Sequence, residues 1–482
     1  MAEYYLRMDG VNLANFVLDT QSLNIIRGGG LLLLDAVSRV KKATHAGHTL
    51  DPVSTGASSG LFHFTAPDDD AACKVREGVI ALLRQDDDLR HATIMVEVLP
   101  AEPDGAFLPT REKLLAVNRW RQMQAPSLAI PPGTGQEVCG FDLVRPARAV
   151  ARGPQGKPIG ESSWRRHEFG RTMKQDFYAQ WSGLPEEKLP GFTNEFATLA
   201  NGAGFGNLNG KMAVFYVDGN GFGKLQQQHC TSRVTQKGFD DFIQGKRQEL
   251  LRTLLQECMA DSDWMHFAEL RLETLLWGGD EIIWVAPAWK GWWLAERFFA
   301  LSAGWQYQGT DAEGTQFCET LTHAGGLVFC HDKAPIHRIT RLVRDLAEIA
   351  KGVSRTRNLL AYQVLESFDH LGADPARWRQ SQCPPGVTAD ALLVAGENLA
   401  TIAAQAGEVR RALPRRRLYA IVTALFDNSA ETDDLIAEAR AVVERAGGLA
   451  SLDAVLAAFG GGRAAWLHLL ELWDYLDPER TP

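Results

Sequence analysis

Between residues 211 and 355 the spacing of apolar positions changes repeatedly. KMAVFYV (211–217) is an unbroken β-branched and aromatic run, which predicts a buried strand. Phe239, Phe242, Ile243, Leu250, Leu251, Leu254 and Leu255 then recur at helical spacing. Two short apolar runs, RLETLLW (271–277) and IIWVAP (282–287), flank Gly278-Gly279-Asp280-Glu281 and read as a β-hairpin. A helix from about Trp289 to Leu301 and a strand, HAGGLVFC (323–330), follow. The last helix carries Ile336, Ile339, Leu342, Val343, Leu346 and Ile349 on one side. Strand, helix, hairpin, helix, strand, helix predicts an antiparallel sheet with helices packed on one face, the ferredoxin-like layout.

The first hundred residues repeat this order more faintly. EYYLRM (3–8) is a strand, Leu31 to Val40 a helix, and a hairpin ends in LFHF (61–64). A helix with Val75, Val79, Ile80 and Leu83 and a strand, ATIMVEVL (92–99), close the unit. Both units place Asp-Gly after the first strand, at Asp9-Gly10 and Asp218-Gly219, as a diverged internal duplication would. Residues 101–210 are rich in Pro, Gly and Arg and show no legible fold. Residues 356–482 are rich in Ala, Leu, Glu and Arg with helical periodicity. The expected fold class is α+β, with ferredoxin-like units over 1–100 and 211–355, an insert between them and a helical C-terminal domain.

Composition narrows the setting. At 482 residues the chain is long for one core, and 45% apolar and 23% charged residues are ordinary for a globular protein. No run approaches the roughly 20 apolar residues that span a bilayer, and MAEYYLRMDG is no signal sequence, so a cytoplasmic protein without a membrane partner is expected. Seven scattered cysteines with no CxxC pair fit reduced thiols. A net charge of −9 argues against a protein that coats nucleic acid by itself. Two basic clusters stand out against it. One runs from Arg145 to Lys174 and includes Arg165, Arg166 and Arg171; the other spans Arg410 to Arg417. Each is a solvated face or a contact for phosphate or RNA.

The candidate chemistry lies in the second unit. Phosphoryl transfer between nucleotides uses two divalent cations to activate a 3′-hydroxyl and steady the leaving pyrophosphate. Mg²⁺ takes carboxylate oxygens together with phosphates and water. A strand ending in Asp218 beside a hairpin tip bearing Asp280 and Glu281 supplies three carboxylates to one place. Gly278 and Gly279 suit a tight turn and leave a nucleotide room to approach. Gly219, Gly221 and Gly223 could do the same for a triphosphate, with Lys224 and Lys351 as candidates to meet its charge. Taken singly, each feature has a plain structural use: a good turn, a loop start, or a lysine offsetting a helix dipole.

These motifs resemble the large polymerase-like subunit of type III CRISPR effector complexes, a family related to GGDEF nucleotide cyclases. The resemblance is carried by VDGNGFGKL (217–225), WGGDEIIWVAP (277–287), THAGGLVFCHDKAP (322–335) and LAEIAK (346–351). NFVLDTQSLNIIRGGGLLLLDAV (15–37) resembles the family's first, inactive palm domain, and EVCGFDLVRPARA (137–149) its zinc-binding insert. The resemblance implies two tandem palm domains, the second joining ATP into cyclic oligoadenylate or a related messenger when target RNA is bound. It implicates Asp218, Asp280 and Glu281 in catalysis with two Mg²⁺ or Mn²⁺ ions, and Gly219, Lys224, Gly278, Gly279 and Lys351 in nucleotide binding.

The chain departs from the family pattern at four places. Its hairpin tip is GGDE rather than GGDD, Asn220 replaces a second Asp, and His323 stands where Ser is frequent, which bears on adenine preference. Gln136 replaces the partner of Cys139, so no zinc is expected. The chain also begins at the first palm, so no HD nuclease domain is expected ahead of it. Expected partners are ATP or another NTP, RNA and further subunits of a type III-like complex. The alternative from a different class is a non-catalytic subunit that binds RNA or nucleotide, and a third is a free-standing diguanylate-type cyclase.

Overall fold

The computed structural model describes residues 1–102, 106–124, 137–310, 315–366 and 374–478. Gln136 therefore lies outside the described residues. The first unit runs β1 (Ala2–Val11), α1 (Leu23–Lys42), β2 (Asp51–Gly56), β3 (Ser59–Ala66), α2 (Asp69–Gln85) and β4 (Thr93–Pro100). Its sheet is antiparallel with order β2-β3-β1-β4. Helix α3 (Phe107–Gln124) covers the outer face, with Phe107 and Leu114 against Tyr5, Val53 and Leu61. Two helices of the insert follow, α4 (Glu161–Thr172) and α5 (Lys174–Ser182).

The second unit comprises β5 (Lys211–Gly219), α6 (Phe222–His229), α7 (Arg233–Ala260), β6 (Glu273–Trp277), β7 (Glu281–Pro287), α8 (Ala288–Ser302), β8 (His323–His331) and α9 (Ile336–Val353). A capping box of Ser232 and Thr235 starts α7. The sheet order is β6-β7-β5-β8, so both units share the order 2-3-1-4 when strands are numbered within each unit.

The structure corrects the sequence reading at three points. The second sheet is not open on one face. Ala213, Phe215 and Val217 of β5 face a core built with α7 and α8, while Met212, Val214 and Tyr216 face one built with α9 and the first unit. The unbroken apolar run of β5 is what a strand buried on both faces requires.

The region after residue 355 is not helical from its start. β9 (Leu359–Val364) pairs in parallel with β8, and β10 (Leu393–Ala395) pairs with β9, widening the sheet to six strands. Helices Leu399–Ala412, Arg415–Phe426, Thr432–Arg445, Leu449–Ala458 and Gly462–Glu471 come only afterwards.

Finally, the helix expected over Leu31–Val40 starts earlier, at Leu23, so that Arg27-Gly28-Gly29-Gly30 lies inside α1. A Cβ on Gly28 would overlap the carbonyl oxygen of Arg166, and one on Gly170 that of Asn24. The glycines let α1 and α4 touch backbone to backbone. Arg166 is fully buried, bonded to Asp19 at 2.6 Å and to the Phe16 carbonyl, and cannot serve as an RNA contact.

The units are joined through buried charge. Arg27 of α1 makes a bidentate pair with Glu273 of β6 at 2.8 and 2.6 Å, and Lys174 of α5 donates to the same carboxylate at 2.7 Å. Lys174 also donates to the Thr193 carbonyl at 2.7 Å, and Arg27 to those of Gly170 and Asn194 (the latter a side-chain amide) at 2.9 and 3.1 Å. Burial would raise the carboxyl of Glu273, but Arg27 and Lys174 outweigh it and hold it below its usual range. Burial and the charge of Arg27 push Lys174 down to about 7 against the pull of Glu273.

Removing the shared anion strands two buried cations, so Glu273→Gln is expected to cost about 3–5 kcal/mol of stability. Gly28→Ala, which forces two backbones apart, is expected to cost about 3 kcal/mol or more. Urea unfolding midpoints check both; a Gly28→Ala chain as stable as the parent would mean that α1 and α4 can separate freely.

Candidate active site

The strand pairing brings Asp218 and Glu281 side by side, since Glu281 is the β7 partner of Asp218. The N–H of Gly219 donates to the carbonyl of Asp280 at 3.2 Å, and Gly278 N–H to that of Glu281 at 2.7 Å, which closes the tip of the hairpin. Asp218 is buried, while Asp280 and Glu281 are half-buried. The carboxylates feel one another. Burial, then the charges of Asp218 and Glu281, raises Asp280 to about 6. The Tyr216 hydroxyl donates to Asp218 Oδ2 at 3.2 Å, and burial with Glu281 and Asp218 holds its proton on well above the usual range.

Two cations balance this charge. Lys351, near the end of α9, reaches Asp218 Oδ2 directly and Glu348 at 3.3 Å. Burial works against its charged form, but the hydrogen bond and charge of Asp218 outweigh it and raise Lys351 above its usual value. Arg344, two turns earlier, lies 3.7 Å from Glu281 and 5.5 Å over the Tyr216 ring. Sequence reading missed Arg344. Its spacing seven residues before Lys351 on an amphipathic helix was the available signal.

Among the described residues no three His, Cys, Asp or Glu side chains are gathered closely enough to hold a metal ion. In kind, however, the donors suit a hard divalent cation: they are carboxylate oxygens, and their mutual repulsion already makes an ionised Asp280 costly. Lys351 is thus the counter-charge of Asp218 in this arrangement.

The other residues read from sequence separate into two groups. Gly279 is exposed, with nothing within 4 Å of where a Cβ would sit, and Gly223 is equally open. Gly219 has a packing reason, because a Cβ there would lie 2.6 Å from the Phe222 ring. Lys224 is exposed on α6 and takes part in no ion pair among the described residues, while Lys351 and Arg344 face the carboxylates. Asn220 donates to Thr322 and to the Arg357 carbonyl, both at 3.1 Å, anchoring the loop rather than widening the carboxylate cluster. His323 is packed among Phe222, Phe298 and Trp305, and burial lowers it to about 3. It is an interior ring.

Asp9 is the counterpart of Asp218. It pairs with Ser59 in register as Asp218 pairs with Glu281, and Gly10 N–H donates to Ser58 as Gly219 does to Asp280. Asp9 is satisfied by Arg7 at 2.7 Å, Ser59 at 2.6 Å and Asn118 at 2.7 Å. The basic clusters are also largely matched by acids. Arg145 pairs with Asp19 and Asp142, Arg165 with Glu161 and Asp87, Arg171 with Glu168, Arg415 with Asp474 and Arg417 with Glu438. Cys139 is buried and donates to the Ser163 hydroxyl at 3.6 Å. No helix among the described residues is long and apolar enough to cross a membrane.

The raised Asp280 carboxyl has a consequence for stability. Its folded value, about 6, lies above the ordinary 3.8, so the folded state holds the proton more tightly. That stabilisation is complete below about pH 4 and is lost as pH rises through 6. Asp280→Asn should therefore leave the unfolding midpoint unchanged at pH 3.5 and raise stability by about 1–3 kcal/mol at pH 7.5 without divalent ions. Thermal unfolding at the two pH values checks it; a destabilised variant at pH 7.5 would mean that Asp280 is not repelled by its neighbours.

No protein-family model matches the sequence, and no curated protein matches it. Solved structures do match. Csm1 of T. onnurineus aligns over 100% of this chain and 70% of its own, at 13% identity and a TM-score of 0.54. An apo Csm1–Csm4 cassette aligns over 79% of this chain at 14% identity and a TM-score of 0.48, and this chain spans only 57% of that chain's length. A Csm1–Csm4 cassette in complex with cA4 aligns over 96% of this chain and 70% of its own, at 14% identity and a TM-score of 0.47. Identities this low speak to fold. The structural neighbours are Csm1 subunits of type III CRISPR complexes, and this chain has their fold.

Proposed function

We propose that the chain is the polymerase-like subunit of a type III CRISPR-type complex and that its second unit is a palm domain joining NTPs, ATP first among them, into a cyclic or short oligonucleotide. The observation that carries this is the alignment of Asp218 with Glu281 across β5 and β7, with Asp280 beside them and Gly279 open at the tip. The Csm1 fold and the quoted motifs support it. The first unit, with Asp9 already neutralised, is a second palm without catalysis.

Asp218, Asp280 and Glu281 would hold two Mg²⁺ or Mn²⁺ ions, which when bound would supply activation of the 3′-hydroxyl and stabilisation of the pyrophosphate. The protein does the positioning. Gly279 leaves the tip open to a nucleotide, Lys351 exchanges Asp218 for substrate phosphate, and Arg344 steadies Glu281. Csm4, cA4 and ATP, named with the Csm1 cassettes, mark the classes of partner, product and substrate to test here. An RNA trigger is a further expectation, but Arg166 is excluded from such a contact by its burial.

The second reading is a subunit that binds nucleotide without turning it over. The Lys351 ammonium on Asp218 and the amide at Asn220 favour it, since both reduce the charge open to metal. Incubation with each NTP and Mg²⁺ or Mn²⁺, with mass spectrometry of the products, separates the two. Product is expected from the parent and a loss of at least about 100-fold from Asp280→Asn/Glu281→Gln, the scale of losing electrostatic stabilisation at a reacting centre. Bound but unreacted NTP in the parent, alone and with partner subunits and RNA, would establish the second reading.

A further inference from the structure

Helix α7 carries Asp240, Gln244 and Arg247 at i, i+4 and i+7, one above another on a single stripe. The first two hold the hairpin of the first unit. The Ser54 hydroxyl and the Thr55 N–H donate to Asp240, each at 3.1 Å, and Gln244 Nε2 donates to the Thr55 carbonyl at 2.9 Å. Gln244 also donates to Asp240 at 2.7 Å, locking the pair together. The third, Arg247, donates from Nη1 to the carbonyl of Gly279 at 3.3 Å, in the hairpin of the second unit.

The two turns touch. A Cβ on Gly56 would lie 3.3 Å from Gly279 Cα, and one on Gly278 would lie 3.5 Å from the Ala57 Cβ. Arg247 is only 5% exposed, its guanidinium sits 4.1 Å over the Trp277 ring, and its Nε and Nη2 have no partner. Burial lowers it to about 9 even with Asp280 and Asp240 opposing. A half-satisfied buried guanidinium is destabilising. Packing does not ask for it, because Leu250, Leu251, Leu254 and Leu255 already hold the helix on the core.

We infer that this stripe couples the two hairpins, so that the placement of the first unit sets the orientation of the Gly279–Glu281 turn. Arg247 is a positioning residue, acting through the Gly279 carbonyl, and Asp240 with Gln244 transmit the position of the first hairpin to it. The first unit thereby gains a use that needs no metal of its own. The inference deepens the proposed function and rests on the second hairpin being its catalytic element.

Hydrogen exchange on the full chain tests the coupling without reference to activity. Gln244→Leu alters a side chain whose hydrogen bonds, among the described residues, go to Asp240 and the first hairpin. It is expected to speed amide exchange at 278–281 about tenfold, the scale of one lost hydrogen bond to a charged network. Arg247→Met should do the same and Arg247→Lys less, while Lys237→Gln, on the exposed side of α7, should change neither hairpin. Where product forms, Gln244→Leu should lower kcat about tenfold with KM unchanged. Faster exchange confined to residues 54–58 would overturn the coupling. A parent that makes no product while showing the expected exchange would retire the catalytic reading and leave the coupling standing.

Discussion

The architecture hangs on the carboxylate of Glu273. It is the one anion shared by Arg27 of the first unit and Lys174 of the insert, and it sits on the strand that leads into the Gly-Gly-Asp-Glu turn. Three segments distant in sequence therefore meet at a point buried from bulk solvent. Such a cluster adds little net stability compared with an apolar one, but breaking it is costly, so it selects one docking geometry. The contact of Gly28 with α4 serves the same end sterically, since no side chain fits between the two backbones. Charge fixes where β6 lies, and steric exclusion fixes how near α1 and α4 come.

Within that frame the two sheets are near-copies with different electrostatics. Asp9 and Asp218 occupy the same register position, and the Gly-to-turn hydrogen bond is conserved between the units. Ser58 and Ser59 stand where the second unit has Asp280 and Glu281, and Arg7 neutralises Asp9 two residues away on the same strand. One copy has settled its charge internally. The other keeps Asp280 and Glu281 close enough to raise the carboxyl of Asp280, with Lys351 and Arg344 in reserve on α9.

Much of this was legible in the sequence. The strands at 211–217, 282–287 and 323–330 and the hairpin tip are marked by strong local signals, and the Asp-Gly pairs at Asp9 and Asp218 fall at matching positions in the strand registers. The unread features are those set by distant partners. Burial of Arg166, Arg27 and Lys174 depends on Asp19 and Glu273, more than ninety residues away, and a run of basic residues looks the same whether solvated or buried. The glycines of α1 resemble a loop because helix propensity argues against them, yet the packing of α4 overrides propensity. β9 was read as helix because LLAYQV alone does not show that an edge of β8 awaits it. Arg247 was unread for a similar reason: only the fold brings it under Gly279.

The electrostatics also bear on whether the site works or merely survives. A carboxylate that serves no ion is destabilising wherever it crowds another, and substitution readily removes that cost, as Ser58 and Ser59 do in the first unit. In the second unit that cost is retained in the raised Asp280, and a buried Arg247 with two unpartnered nitrogens adds a cost of its own. Lys351 relieves Asp218 alone. A divalent cation would relieve Asp218, Asp280 and Glu281 together, releasing the Lys351 ammonium toward an incoming phosphate. Under the proposed function such an exchange would give the lysine, the carboxylates and the open Gly279 one shared purpose, and the first unit, where Arg7 neutralises Asp9, shows the arrangement of the same sheet without it.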